Sequence, residues 1–181
     1  MELEGRITFS LLPPEWDAAT FAYWWLPEVD ERGCIVRESR MNRVEKERYH
    51  AYETTNLITL LGRQQLLTDI GQGISATNFT QYLGIGTGPI VSVSPGDTSI
   101  PTEIIRVGNN GYYVDLVNSG THINFFLTAA QGNAAYSSVG IWGGGASGTP
   151  GGAGTLYSHA LSSFTKTSSN ALSIDYGVFI V

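Results

Sequence analysis

The chain has 181 residues, a formal net charge of −6 and a single cysteine, Cys34. One cysteine allows no internal disulfide and no Cys-rich zinc site, and no apolar run reaches the roughly 18–20 residues of a membrane-crossing helix. Charged residues make up 14% of the chain, against about 25% in an ordinary domain. They crowd at one end: residues 1–50 carry 7 of the 10 basic and 10 of the 16 acidic side chains, but 2 of the 22 glycines. This composition predicts a charged N-terminal attachment arm over 1–50 and a nearly uncharged, Gly/Ser/Thr-rich body over 51–181. The first residues, Met1 to Arg6, lack the basic start and apolar stretch of a signal peptide. The body offers only Arg63, Arg106 and Lys166 as cations, so no nucleic-acid partner is expected, because phosphate contacts need clustered Lys and Arg.

Residues 5–11 alternate as a short strand, and Pro13-Pro14 ends it. The aromatic run Thr20–Leu26, the polar turn 27–33 and Cys34–Glu38 read as a β-hairpin over 18–40. Adjacent strand residues face opposite sides. One of Trp24 and Trp25 is therefore expected to pack on its own chain while the other, with Tyr23, docks on a second surface. Residues 39–50 are charged and weakly patterned, as a connector is.

Residues 57–70 carry the helical period: Leu57, Leu60, Leu61, Leu67 and Ile70, with Asn56 as cap and Gly71 as stop. Gly62 inside this stretch marks a close backbone contact. From Tyr82 the period becomes two. Strands are predicted at 82–86, 103–107, 112–117, 123–128, 139–142, 156–164 and 172–181, with turn signals at Asn109-Asn110-Gly111 and Asn118-Ser119-Gly120. In the last of these, Leu172, Ile174, Tyr176, Val178 and Ile180 point one way, and Ser173, Asp175 and Gly177 the other. Asp175 therefore faces solvent or a neighbour rather than the core. Short strands with frequent turns predict a mainly β fold: an antiparallel, jelly-roll-like β-sandwich preceded by one α-helix and an extended arm with a hairpin. The glycine-rich stretch 143–154, beginning Gly143-Gly144-Gly145, reads either as a flexible surface loop joining two strands or as a loop that orders only against a partner subunit or receptor, since ordering glycine is costly.

Catalytic signatures are missing. Gly84-Ile-Gly86-Thr-Gly88 departs from the dinucleotide fingerprint in spacing, and the helical stretch precedes it. No Walker loop, zinc-protease pair, nucleophile elbow or calcium loop occurs. His50, His122 and His159 have no spacing that ties them to Asp115 or Asp175 as a metal site or triad, and the body carboxylates form no close pair in sequence. No enzyme, cofactor or metal is expected.

The order of Asn56-Leu-Ile-Thr, Gly62-Arg63, Tyr82-Leu-Gly-Ile-Gly-Thr-Gly88, Asp97-Thr98, Glu103-Ile-Ile-Arg106, Val139-Gly-Ile-Trp-Gly-Gly144 and Leu156-Tyr-Ser-His-Ala-Leu161 resembles small virion structural proteins of tailed bacteriophages. The resemblance covers about 54–181. It implies a non-enzymatic β component of the virion. Two placements are expected: a tail-fibre, tail-tip or adaptor subunit, homo-oligomeric and in contact with other virion proteins and a host receptor, or a capsid decoration protein.

Overall fold

A computed structural model describes residues 3–64 and 81–180. Strand β1 (Leu3–Leu12) alternates as its sequence demands: Ile7 and Phe9 are buried on one face, and Arg6 and Thr8 lie on the other. Helix α1 (Ala18–Trp25) and the short strands β2 (Glu28–Val29) and β3 (Ile35–Arg37) follow, then helix α2 (Arg43–Glu47) and strand β4 (His50–Ile58). The body continues as β5 (Tyr82–Gly86), β6 (Glu103–Asp115), β7 (Gly120–Leu127), β8 (Ala134–Ala135), β9 (Ser138–Gly143), β10 (Thr155–Leu161), β11 (Thr165–Lys166) and β12 (Ala171–Ile180).

The expected jelly-roll-like sandwich is incorrect. Eight strands are hydrogen-bonded in the order β1-β12-β7-β6-β5-β9-β10-β4 and close into an antiparallel barrel. Strand β1 pairs with β12 through ten residues, from Leu3↔Ile180 to Leu12↔Ala171, and closure joins it, at one end of the order, to β4 at the other. Alternation alone does not separate the two architectures, because a sandwich and a barrel use the same period of two. Closure between the two ends of the strand order, β1 and β4, decides, and it removes the exposed edges that a sandwich keeps.

By its internal contacts the chain divides into unit 1 (Met1–Glu53, Asn110–Asn133 and Lys166–Val181) and unit 2 (Thr54–Asn109 and Ala134–Thr165). The first division falls between Glu53 and Thr54, and the charged N-terminal segment belongs to the same unit as the last strand.

In unit 1, aligned rows across β1, β12 and β7 bury Ile7–Tyr176–Ile123 and Phe9–Ile174–Phe125 on one face. On the other face, one end is apolar. Leu12, Ala171 and Phe126 form a cluster there with Phe21 and Trp25 of α1, and Phe21 stacks on Phe126 at 5.0 Å.

The aromatic run predicted as a strand is helix α1. Asp17 caps it by accepting the Thr20 amide at 2.8 Å. Leu26, extended at ψ 144°, ends it as the residue before Pro27 should. A helix brings Phe21 and Trp25, four residues apart, onto one face, where they stack at 6.2 Å. Burial of that pair outweighs the β propensity of the run. Trp25 is 6% exposed, Trp24 44% and Tyr23 54%. The hairpin expected over 18–40 shrinks to the β2–β3 pair.

In unit 2, β5 and β9 are paired along their length, with Leu83, Ile85, Val139 and Ile141 buried. The helix expected over 57–70 also needs correction. Leu57 and Ile58 belong to β4 and pair with His159 and Ser158 of β10. The helical stretch begins later, at 60–64, with Thr59 rather than Asn56 as cap: its hydroxyl accepts the Gly62 amide at 2.9 Å. Positions 65–70 lie outside the described residues. A Cβ on Gly62 would collide with the Tyr157 backbone carbonyl, so the glycine sits at a close backbone approach. Strand β6 runs unbroken through Asn109-Asn110-Gly111, where a turn is expected, and the chain reverses at 116–119, overlapping the second turn signal, Asn118-Ser119-Gly120.

Replacing Trp25 with Ala should cost about 3–5 kcal/mol, as large aromatic truncations in a core do. Replacing the exposed Trp24 should change stability by about 0.5 kcal/mol or less. Urea unfolding of the two variants checks this, and equal costs would contradict the helical placement.

Candidate functional site

The second face of the unit 1 sheet is apolar at the α1 end and polar beyond it. Strand register lines up Thr8–Asp175–Asn124 as one row and Ser10–Ser173 as part of the next. These side chains form the floor of a cavity of about 680 Å³. Tyr113 and Asp115 from β6, His122 from β7 and Phe179 from β12 line it, with Glu4 and Arg6 from β1 and His50 from β4. Trp25 and the α2 residues Arg43, Lys46 and Glu47 also line it. Helix α2 is short, but a capping box fixes its start: Asn42 accepts the Glu45 amide and Glu45 accepts the Asn42 amide. That box aims α2 so that Lys46 reaches the cavity.

His122 is the most constrained group in the site. Its Nδ1 lies 2.9 Å from Asp175 Oδ2, and its Nε2 lies 3.9 Å from Asp115 Oδ2. The Tyr113 ring stacks on the imidazole at 4.7 Å, nearly parallel, and Phe179 meets it edge-on at 5.4 Å. Gly120 and Gly177 make the slot for the Phe179 ring, since a Cβ at either would overlap it. Burial works to lower the His122 pKa, but the hydrogen bond and charge of Asp175, helped by Asp115, outweigh it and hold the pKa above the usual histidine value. Asp115 is held below the usual carboxylate value: burial opposes this, and bonds from Asn118 and Val117 outweigh it. Lys46 is pushed down to about 8 by burial, against the attraction of Asp175 and Glu38. Its ammonium donates to the Trp25 carbonyl at 2.6 Å and lies over the Trp25 ring.

Two buried polar atoms in this floor have no hydrogen-bond partner among the described residues, Asn124 Nδ2 and Asp175 Oδ1. Such atoms are costly to bury, and here they belong to directly opposed residues of β7 and β12.

Of the side chains expected to make interactions, Trp25 lines the cavity, whereas Tyr23 and Trp24 stand exposed on α1 and pack edge to face at 5.2 Å. Arg40 covers the Tyr23 ring at 4.1 Å. Gly143, Gly144 and Gly145 belong to unit 2. Gly143 ends β9, buried, and Gly144 and Gly145 turn the exposed chain at φ 62° and 77°. The loop they open draws its order from its own unit. The buried Arg106 donates to the Ser147 and Ala153 carbonyls at 3.0 and 2.9 Å, pairs with Glu103 at 2.9 Å, and lies over the Trp142 ring at 3.8 Å. Glu103 in turn accepts the Gly151 amide at 2.6 Å. Unit 2 also holds a second histidine–aspartate pair, the buried His159 with Asp97 at 2.7 Å.

Sequence spacing misses the Asp115–His122–Asp175 cluster, because 53 residues separate His122 from Asp175. The available signal was an aspartate at mid-strand on the polar side of β12. Among the described residues, no group of three or more His, Cys, Asp or Glu side chains is placed to hold a metal ion. No helix there is long and apolar enough to cross a membrane.

Because the folded His122 pKa is raised, His122 adds stability that is fully present below about pH 6.5. That stability is lost as pH rises through the folded value. Asp115 acts oppositely: its contribution is present above the usual carboxylate value and is lost as pH falls through the folded one. The Asp175→Asn variant should therefore lower the His122 titration midpoint in NMR and flatten the fall in stability above pH 6.5. An unchanged midpoint would contradict the clamp. The Arg106→Lys variant, which loses the planar fork, should speed amide exchange across 144–154 by about tenfold or more. Unchanged exchange would show that the loop is held by something else.

No known protein family, curated protein or solved structure matches the chain.

Proposed function

We propose that the chain is a non-catalytic structural component of a tailed-phage virion, of the tail-fibre, tail-tip or adaptor kind, carrying a ligand-binding site in the unit 1 cavity. The motif order quoted above supports the virion part. The observation that carries the binding part is the clamp on His122. In a serine–histidine–aspartate triad, one ring nitrogen orients on an acid and the other reaches a hydroxyl. Here both ring nitrogens face carboxylates. A paired-carboxylate glycosidase leaves the space between its acids, about 5–9.5 Å, to substrate and water. Here the imidazole stands between Asp115 and Asp175. An arrangement so fully engaged orients a ligand rather than moving protons to and from it.

In this reading the exposed Tyr23 and Trp24 supply aromatic anchors for a neighbouring virion subunit, and the cavity faces the host surface. Quantitative mass spectrometry of purified particles tests the placement. A tail component is expected at a few to some tens of copies per particle. Hundreds of copies would move it to the capsid surface, and absence from particles would end the virion reading.

A further inference from the structure

The floor of the unit 1 cavity holds one unused donor beside one unused acceptor. Asn124 is 2% exposed, and its Nδ2 has no partner among the described residues; the same holds for Asp175 Oδ1. The two residues are directly opposed across β7 and β12, and side chains so placed have Cβ atoms about 4.5–5.5 Å apart. A ligand satisfying both must therefore present a donor and an acceptor on neighbouring atoms. A vicinal diol does this, since each hydroxyl both donates and accepts.

The rest of the cavity narrows the choice. Arg6, Arg43 and Lys46 stand around it together with Glu4, Glu47, Asp115 and Asp175. A ligand of either net charge meets like charges there, and a neutral one does not. Thr8, Ser10 and Ser173 add hydroxyls to the floor, and these pair with ligand hydroxyls in either sense. The volume, about 680 Å³, falls inside the range of small-molecule sites, about 300–1,000 Å³.

We propose that the cavity binds a neutral saccharide through a vicinal diol, one hydroxyl donating to Asp175 Oδ1 and its neighbour accepting from Asn124 Nδ2. His122, bonded to the other oxygen of Asp175 at 2.9 Å, fixes the orientation of that carboxylate. The proposal rests on the reading of the cavity as a binding site and not on the protein's place in a particle.

The test is an NMR titration of the full chain with methyl glucoside, methyl galactoside and methyl mannoside. Glucosamine and N-acetylneuraminic acid serve as the cationic and anionic comparisons. At least one neutral hexoside should shift the Asn124 side-chain amide and the His122 ring, and should bind more tightly than either charged sugar. The Asn124→Ala variant should weaken that binding by about tenfold or more while leaving the His122 titration intact, which shows that the floor is still folded. If that variant fails to fold, Ser173→Ala should still weaken binding, and the wild-type Asn124 shift remains the primary readout. No neutral hexoside shifting the Asn124 amide at tens of millimolar overturns the proposal. So does tighter binding of a charged sugar, or undiminished affinity in Asn124→Ala. Saccharide binding by a protein absent from particles would sink the virion reading alone, and a particle protein that binds no hexoside would sink this proposal alone.

Discussion

The pairing of β1 with β12 is the constraint on which the rest of unit 1 depends. Ten consecutive residues at one end of the chain match ten at the other. Because side chains alternate along each strand, that register builds two surfaces at once. One is the buried pair of rows, Ile7–Tyr176–Ile123 and Phe9–Ile174–Phe125. The other is the polar row Thr8–Asp175–Asn124. A slip of one residue would move Asp175 into the core and Tyr176 into the cavity, so core burial and site geometry enforce the same register.

The polar face is divided by what covers it. Where Phe21 and Trp25 descend from α1, the face is apolar and buried. Beyond them the covering group is Lys46, pushed down to about 8 by burial and bonded to the Trp25 carbonyl. Asp175, half-buried, then has His122 as its hydrogen-bond partner, Asn124 opposite it and the charge of Lys46 acting on it. Its oxygens divide the work: Oδ2 holds His122, and Oδ1 stays without a protein partner among the described residues. A half-buried carboxylate with one oxygen engaged and the other covered but unengaged is what makes this face a candidate for recognition rather than for packing.

Much of the strand content is legible from sequence, and the reasons for the misses are specific. The alternation of 172–180 and the short runs at 82–86 and 139–142 emerge as β12, β5 and β9, because buried strands with clear turns on either side admit one reading. Thr20–Leu26 misleads because aromatic residues favour strands locally, while the Asp17 cap and the burial of Phe21 and Trp25 on one helical face decide the outcome. Leu57 and Ile58 mislead in the opposite sense: they fit the helical period, yet pairing with β10 claims them. The site is the least legible part. Asp175 reads correctly as turned away from the core, but nothing in the spacing announces that register places Asn124 and His122 beside it. The charge split, which suggested an arm and a body, also marks where charged residues such as Arg6, Arg43 and Lys46 collect around one face of unit 1.

The N-terminal strand is a structural member of the fold, paired with β12 along its length. Amide hydrogen exchange on a chain lacking residues 1–50 tests it most directly. If β1 holds β12 in place, the shortened protein should lose protection throughout β12 and β7, and the His122 resonances should return to the values of an unstructured histidine. Slow exchange in those strands, with the His122 environment unchanged, would contradict the account and restore the charged segment to the role of an appendage.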